Sequence, residues 1–169
     1  ATTLLGQEKI DYGNVDEFSK IFNENEIEYI NNELFLLRFT SLSFSFAVIA
    51  LEKRLNISSF DIGNIISQGT KLAFQDVGYI EQHIEFLGNK FSNDITIISN
   101  SLENVPFNRE IYITTIALGF TDNFFTSLGY ENVDELKRNS LFVCATSVVS
   151  MVFEIVDEFL KKVKIIDFK

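Results

Sequence analysis

Several residue types that usually carry chemistry are scarce in this 169-residue chain. It contains no tryptophan and one residue each of cysteine, histidine, methionine and proline. A zinc site needs three or four His, Cys or carboxylate ligands, and His83 and Cys144 cannot complete the usual sets. There is no Glu-x-x-His motif and no Gly-Lys-Ser/Thr phosphate loop. The sequence therefore predicts no metal, no cofactor and no catalytic residues, and the protein is interpreted as a non-enzyme.

Positive charge is also scarce. The chain has 14 Lys and Arg residues against 24 Asp and Glu residues, a net charge of −10. Proteins that bind nucleic acids do so largely through Lys and Arg contacts to phosphates, so nucleic acid is excluded as a partner. An acidic balance keeps a chain with 18 phenylalanines soluble or attracts a basic protein. The single cysteine and the absence of a basic, then apolar, N-terminal segment predict a cytoplasmic location.

With one proline, long helices meet few interruptions. Apolar residues recur every three or four positions between Glu26 and Leu55, which predicts a long α-helix. A second apolar stripe through Phe35, Phe39 and Phe46 predicts that other elements cover this helix from several sides. The uncharged run 39–51 is shorter than the roughly 20 apolar residues that cross a bilayer, so no membrane association is expected.

The same spacing predicts a second long helix over Asn132–Lys164. Shorter helices are predicted from Asn14 to Asn23 and in several segments between residues 58 and 105, with a break near Gly69. Residues 109–120 have strand propensity but also fit a helix, and helix is preferred because a lone strand has nothing to pair with. Asn25 is expected to cap the first long helix, and Thr121 to cap a further turn closed by Gly129.

The predicted fold is all-α: one domain over residues 1–169, with 1–13 irregular, and six to eight helices around the two long ones. Two segments match closely, Tyr12–Phe18 and Tyr130–Leu136. Both are interpreted as helix starts, with a duplication of helix hairpins as the alternative. Arg38 is the notable charge of the first long helix. It is expected to pair with an acid or reach the surface, and alternatively to anchor an anionic ligand.

Acidic residues are concentrated at the start of the chain, where residues 1–33 contain eight acids against Lys9 and Lys20. Such an asymmetry either forms a solvated helix face or docks a basic protein. Exposed tyrosines beside the acids would supply binding energy. The predicted partner-binding residues are Asp11, Tyr12, Asp16, Glu17, Glu24, Glu26, Glu28 and Tyr29.

In its size, acidity and helical character over the whole chain, the protein resembles the immunity proteins that bacteria make against their own toxins. The resemblance includes no motif, so it transfers no residue roles. It implies a stoichiometric inhibitor that covers the active site of a basic, nuclease-type toxin. Two alternatives remain from the residues alone: a helical binder of an apolar small molecule, and a homodimeric structural or adaptor protein.

Overall fold

The structure, a computed structural model, describes residues 18–52 and 108–162 continuously. Between these ranges it describes residues 64, 68, 69, 71, 72, 75, 85, 88, 89, 93, 96–98, 100, 102 and 105. Helix accounts for 85% of the described residues and no strand occurs among them, which confirms the predicted all-α class. His83 and the predicted irregular segment 1–13 lie outside the described residues, and the single domain over 1–169 stays a prediction.

Three helices have defined ends: α1 is Glu24–Glu52, α2 is Arg109–Ser127 and α3 is Glu135–Lys162. The two long helices and the helical interpretation of residues 109–120 are therefore confirmed. The predicted count of six to eight helices is not supported, because four helices are found over the described residues.

Two of the shorter predicted features differ from the structure. The helix predicted from Asn14 lies partly outside the described residues, and its described part is a turn in which the Phe22 amide donates to the Phe18 carbonyl at 3.0 Å. Gly69 lies within helix, as do Gln68 and Lys71, so these residues show no break.

Each of the three helices begins at a side-chain cap. Asn23, rather than the predicted Asn25, caps α1: its Oδ1 accepts from the Glu26 amide at 3.0 Å, and the Glu26 carboxylate accepts from the Asn23 amide at 2.8 Å. This reciprocal pair is a capping box, in which each side chain satisfies an amide that the helix leaves unpaired. Asn108 caps α2, and Asp134 caps α3.

Gly129 ends α2 in a left-handed conformation, with φ of 74°. The Gly129 amide donates to the Thr126 carbonyl at 3.0 Å, and the Tyr130 amide donates to the Phe125 carbonyl at 3.1 Å. These two bonds define a Schellman motif, and the accompanying apolar contact is present because the Phe125 and Tyr130 rings lie 5.8 Å apart. Thr121 does not cap a separate turn: its hydroxyl donates to the Ala117 carbonyl inside a continuous α2.

The three helices run up, down and up. Contacts between Glu26 and Lys137 at one end and between Phe46 and Phe159 at the other show that α1 and α3 are parallel. α2 is antiparallel to α3, since its end meets the start of α3 and its start meets Phe153. The most extensive helix contacts join α1 to α3 and α2 to α3.

The core lies where the three helices meet. Residues 37–42 of α1 are all buried, so neighbours cover every face of this part of the helix, as the two apolar stripes predict. On α3, Leu141, Val149 and Phe153 are fully buried. Burying a side chain of this size stabilises the fold by about 1.5–3 kcal/mol.

Two segments, Glu24–Ile49 and Glu135–Lys162, are long and apolar enough by length and composition to cross a membrane. Within the most apolar window, 56% of the first segment and 39% of the second is buried against the rest of the chain. A core helix of a soluble protein meets the same criterion, so these two segments are weak evidence for a membrane location.

Candidate functional site

The Glu26 carboxylate joins three separate parts of the chain. Its Oε1 accepts from the Tyr130 hydroxyl and from the Lys137 ammonium, both at 2.6 Å. Its Oε2 accepts from the Asn23 amide in the capping box. The Lys137 ammonium also lies 5.5 Å from the centre of the Phe22 ring and 6.0 Å from that of Tyr130. We call Asn23, Glu26, Tyr130 and Lys137 the Glu26 node.

The node is a partly buried ion pair with several hydrogen bonds. The side chain of Glu26 is 8% exposed and that of Lys137 is 24% exposed. Burial raises the pKa of the Glu26 carboxyl, but the hydrogen bonds from Lys137, Tyr130 and the Asn23 amide lower it more, so the pKa falls below its ordinary value of 4.5. The hydrogen bond to Glu26, together with burial, raises the pKa of the Tyr130 hydroxyl. Glu26 is therefore ionised and structurally engaged at neutral pH.

The node makes stability depend on pH. A carboxyl whose pKa is lower in the folded than in the unfolded chain stabilises the fold above the unfolded value, and this contribution is lost as the pH falls through the folded value. We expect the difference in free energy of unfolding between wild type and Glu26→Gln to be full above about pH 5 and to shrink below pH 4.5. Urea unfolding followed by circular dichroism from about pH 7 to about pH 3 measures it.

The control for this titration is Glu24→Gln, which changes an exposed carboxylate two positions away in the same helix. Its difference from wild type should be small throughout. A difference for Glu26→Gln that stays constant across the whole range would show that the charge of Glu26 does not stabilise the fold.

Of the predicted partner-binding residues, Asp11, Tyr12, Asp16 and Glu17 lie outside the described residues. Glu24 and Glu28 are exposed at the start of α1. Tyr29 is half-buried, with its ring 5.3 Å from that of Phe124.

Glu26 points inward, and its place on a partner-binding surface is corrected. With 7% of the residue exposed and both carboxylate oxygens hydrogen-bonded, it cannot offer its charge to a partner.

The node brings a second group of exposed residues beside Glu24 and Glu28. Residues 128–134 connect α2 to α3. Together with the first residues of α3 they form the connecting segment, residues 128–137, which Tyr130 and Lys137 attach to the start of α1. We call the combined surface the acidic end. Its exposed members are Glu24, Glu28, Leu128, Tyr130, Glu131, Asp134, Glu135 and Leu136.

The residues of the connecting segment were not among those predicted from the sequence. The match between Tyr130–Leu136 and Tyr12–Phe18 marks the segment, but it was interpreted only as a helix start.

Positive side chains near the acidic end are mostly neutralised within the fold. Lys137 pairs with Glu26, and Arg138 pairs with Asp122 at 2.6 Å. Lys20 is exposed in the turn before α1. The acidic end has five exposed carboxylates and therefore carries a net negative charge even when Lys20 is counted with it.

Comparison with protein families, curated proteins and solved structures finds no match to this chain. What the protein binds is therefore inferred from its own residues.

Other types of site find little support in the described part of the chain. No group of three or more His, Cys, Asp or Glu residues there is placed to hold a metal ion. Cys144 is half-buried, and burial raises the pKa of its thiol. The thiol is therefore protonated at neutral pH and packs as a small apolar group.

Two cavities lined by described residues do not suit an apolar ligand. One, between α1 and α2 beside Leu37, Thr40 and Phe120, has a volume of about 40 Å³. Ligand sites are roughly ten times larger. The other is an open groove of about 410 Å³ between the start of α2 and the last turns of α3. Its lining includes Arg109 and Lys161 and is largely charged.

The surface of α3 lacks a continuous apolar stripe of the kind that a helix-mediated homodimer would use. Its most exposed apolar side chains are Leu136, Val143 and Phe159. Arg138, Ser147 and Glu154 are also exposed between them.

Proposed function

We propose that the protein is a binding protein without catalytic activity that uses its acidic end to dock a basic protein partner. The observation that carries this proposal is the composition of the acidic end, which combines exposed apolar side chains with exposed carboxylates. Leu128, Tyr130 and Leu136 are 39%, 38% and 61% exposed. They lie within nine residues of one another in the segment that also contains Glu131, Asp134 and Glu135.

This composition resembles that of protein interfaces, in which an apolar centre is surrounded by a polar rim. Tyrosine is among the residues that contribute most to binding, because its ring buries a large area and its hydroxyl accepts or donates a hydrogen bond. The carboxylates draw a positive surface toward the protein and set its orientation. Glu26 is buried beneath this surface and holds its two parts together through Tyr130 and Lys137.

The inferred activity is inhibition by occlusion. A nuclease presents a basic surface to the phosphates of its substrate, and an acidic surface of matching shape covers that site in place of the substrate. The protein is accordingly proposed to be an immunity-type inhibitor of a basic bacterial toxin, acting in the cytoplasm with no cofactor. The hypothesis depends on the size, acidity and helical character of the chain together with the acidic end.

Charge reversal at the acidic end tests the proposal. The double variant Glu24→Lys/Glu28→Lys should retain the helical circular dichroism signal and bind its partner about tenfold more weakly or worse, mainly through a lower association rate at low salt. Affinity capture from a lysate of the source cells identifies the partner, and surface plasmon resonance at two salt concentrations measures the rates. A captured basic protein at one-to-one stoichiometry would then be assayed for nuclease activity with and without the inhibitor.

The matched control is Glu110→Lys/Glu154→Lys, which makes the same change in charge at the opposite end of the helical bundle, on two exposed glutamates. This variant should bind almost as wild type does. Equal losses in the two double variants would mean that only net charge matters, and no loss in either would remove the acidic end from the interface.

A further inference from the structure

Arg38 is the most deeply buried arginine of the described residues, with 5% of its surface exposed in the middle of α1. Its Nε and Nη1 have no hydrogen-bond partner among the described residues. The other two described arginines are satisfied: Arg109 donates to the Phe153 carbonyl at 3.0 Å, and Arg138 donates to Asp122. Arg38 is thus the exception within the described part of the chain.

A guanidinium carries a positive charge in proteins, so its burial places a full charge in the interior. Buried charges are normally paired, since an uncompensated charge in a protein interior strongly destabilises the fold. The geometry of the group also matters, because its planar fork matches the two oxygens of a carboxylate or phosphate. An isolated buried arginine would therefore be stabilised by a bound oxyanion.

Ser41 provides a second, independent observation. It lies three residues after Arg38, the spacing that places two side chains next to each other on a helix. Its hydroxyl is fully buried and also lacks a hydrogen-bond partner among the described residues. The hydroxyls of Thr40 and Ser45 donate to carbonyls of the preceding turn of α1, those of Leu36 and Leu42. The hydroxyl of Ser43 also lacks a partner, but Ser43 is less deeply buried than Ser41. The Ser41 hydroxyl is therefore an unpartnered donor about one helical turn along α1 from Arg38.

We propose that Arg38 and Ser41 bind a small oxyanion, a carboxylate or a phosphate group, inside the helical bundle. The guanidinium supplies the charge and two donors, and the Ser41 hydroxyl supplies a third donor to the same group. The near-complete burial of both residues limits the ligand to an anion of a few atoms. Because the net charge of −10 repels anions, affinity comes from these local donors rather than from the field of the whole protein.

Thermal unfolding of the full chain tests the site. Wild type is titrated with sodium phosphate and, separately, with sodium acetate, up to about 50 mM at constant ionic strength and pH, because phosphate at high concentration stabilises proteins without binding. The Tm should rise and reach saturation with at least one of the two anions, as it does for any ligand that binds only the folded chain. A response to phosphate alone identifies a phosphate site, and a response to acetate alone identifies a carboxylate site.

Two substitutions assign the response to the proposed residues. Arg38→Met should abolish the saturable rise, whereas Arg138→Met, which changes an exposed arginine, should retain it. Ser41→Ala keeps the charge and should move the midpoint of the titration to about tenfold higher anion concentration, as expected for one lost hydrogen bond to a charged group. If Arg38→Met does not fold, the Ser41→Ala titration alone tests whether the anion binds at this site. The proposal is overturned if wild type shows no saturable rise, if Arg38→Met responds as wild type does, or if Ser41→Ala leaves the midpoint unchanged.

Discussion

Replacing Lys137 with methionine should lower the free energy of unfolding by about 3 kcal/mol, because it leaves the buried Glu26 carboxylate without its counter-charge. Methionine retains most of the apolar length of lysine, so the packing against Phe22 and Tyr130 is largely kept. The hydrogen bonds from Tyr130 and the Asn23 amide remain, but neither carries a charge. Urea unfolding at neutral pH, with the slope checked for two-state behaviour, measures the effect.

The same substitution at Lys161 is the matched control. Lys161 is on the same helix and also forms ion pairs, with Asp157 at 3.0 Å and Glu158 at 2.7 Å, but 54% of its side chain is exposed. Exposed pairs of this kind contribute about 0–1 kcal/mol, so Lys161→Met should change stability little. Similar losses at the two positions would mean that burial does not strengthen the pair of the Glu26 node.

A second large effect is expected in the core of α3. Leu141→Ala should destabilise the protein by about 2–5 kcal/mol, because the leucine is fully buried and its removal leaves a cavity as well as losing apolar contact. The loss should appear as a lower urea midpoint with an unchanged slope.

Leu136 provides the comparison, since it is the same residue type five positions earlier on α3 and is 61% exposed. Leu136→Ala should change the free energy of unfolding by no more than about 0.5 kcal/mol. On the proposed function, however, it should weaken partner binding, because Leu136 is among the exposed apolar residues of the acidic end. A loss of stability at Leu136 equal to that at Leu141 would contradict the packing described for α3.

The long helices could be predicted because their signal is local and repeated. Apolar residues recur over seven turns or more of α1 and α3. Such a pattern predicts a helix whichever elements of the fold cover it. The helix at residues 109–120 was predictable for the same reason, despite its strand propensity. Its apolar residues recur at helical spacing at Ile113, Ile116 and Phe120, and Ile116 is fully buried. The helix count was not predictable, since much of the chain between residues 53 and 107 has weaker periodicity interrupted by glycine.

The start of α1 shows where local information ends. Asn23-Glu24-Asn25-Glu26 is followed by Ile27 and Glu28, so both asparagines stand three positions before a glutamate and either could begin a capping box. The structure uses Asn23 and Glu26, which places Glu26 against Tyr130 and Lys137. The partners that distinguish the two registers lie 104 and 111 positions away.

The same separation along the sequence explains why Glu26 was wrongly predicted to lie on the partner-binding surface. Glu26 and Glu28 look alike as members of an acidic stretch, and no local pattern tells which one faces Lys137. The residues of the connecting segment that complete the acidic end were overlooked for the same reason, since nothing near Tyr130 in the sequence points to α1.

On the proposed function, the separation of Glu26 from Lys137 along the sequence also makes partner binding depend on folding. The acidic end exists only after the beginning and the last third of the chain have come together, so an unfolded or nascent chain does not display it. A partner that binds this surface therefore shifts the folding equilibrium toward the native state, by about 2.7 kcal/mol when present at a hundred times its Kd. This amount is close to the loss expected for Lys137→Met. On the proposed function, a chain too unstable to persist alone would be maintained by its own complex, and the concentration of free partner would set how much folded protein accumulates.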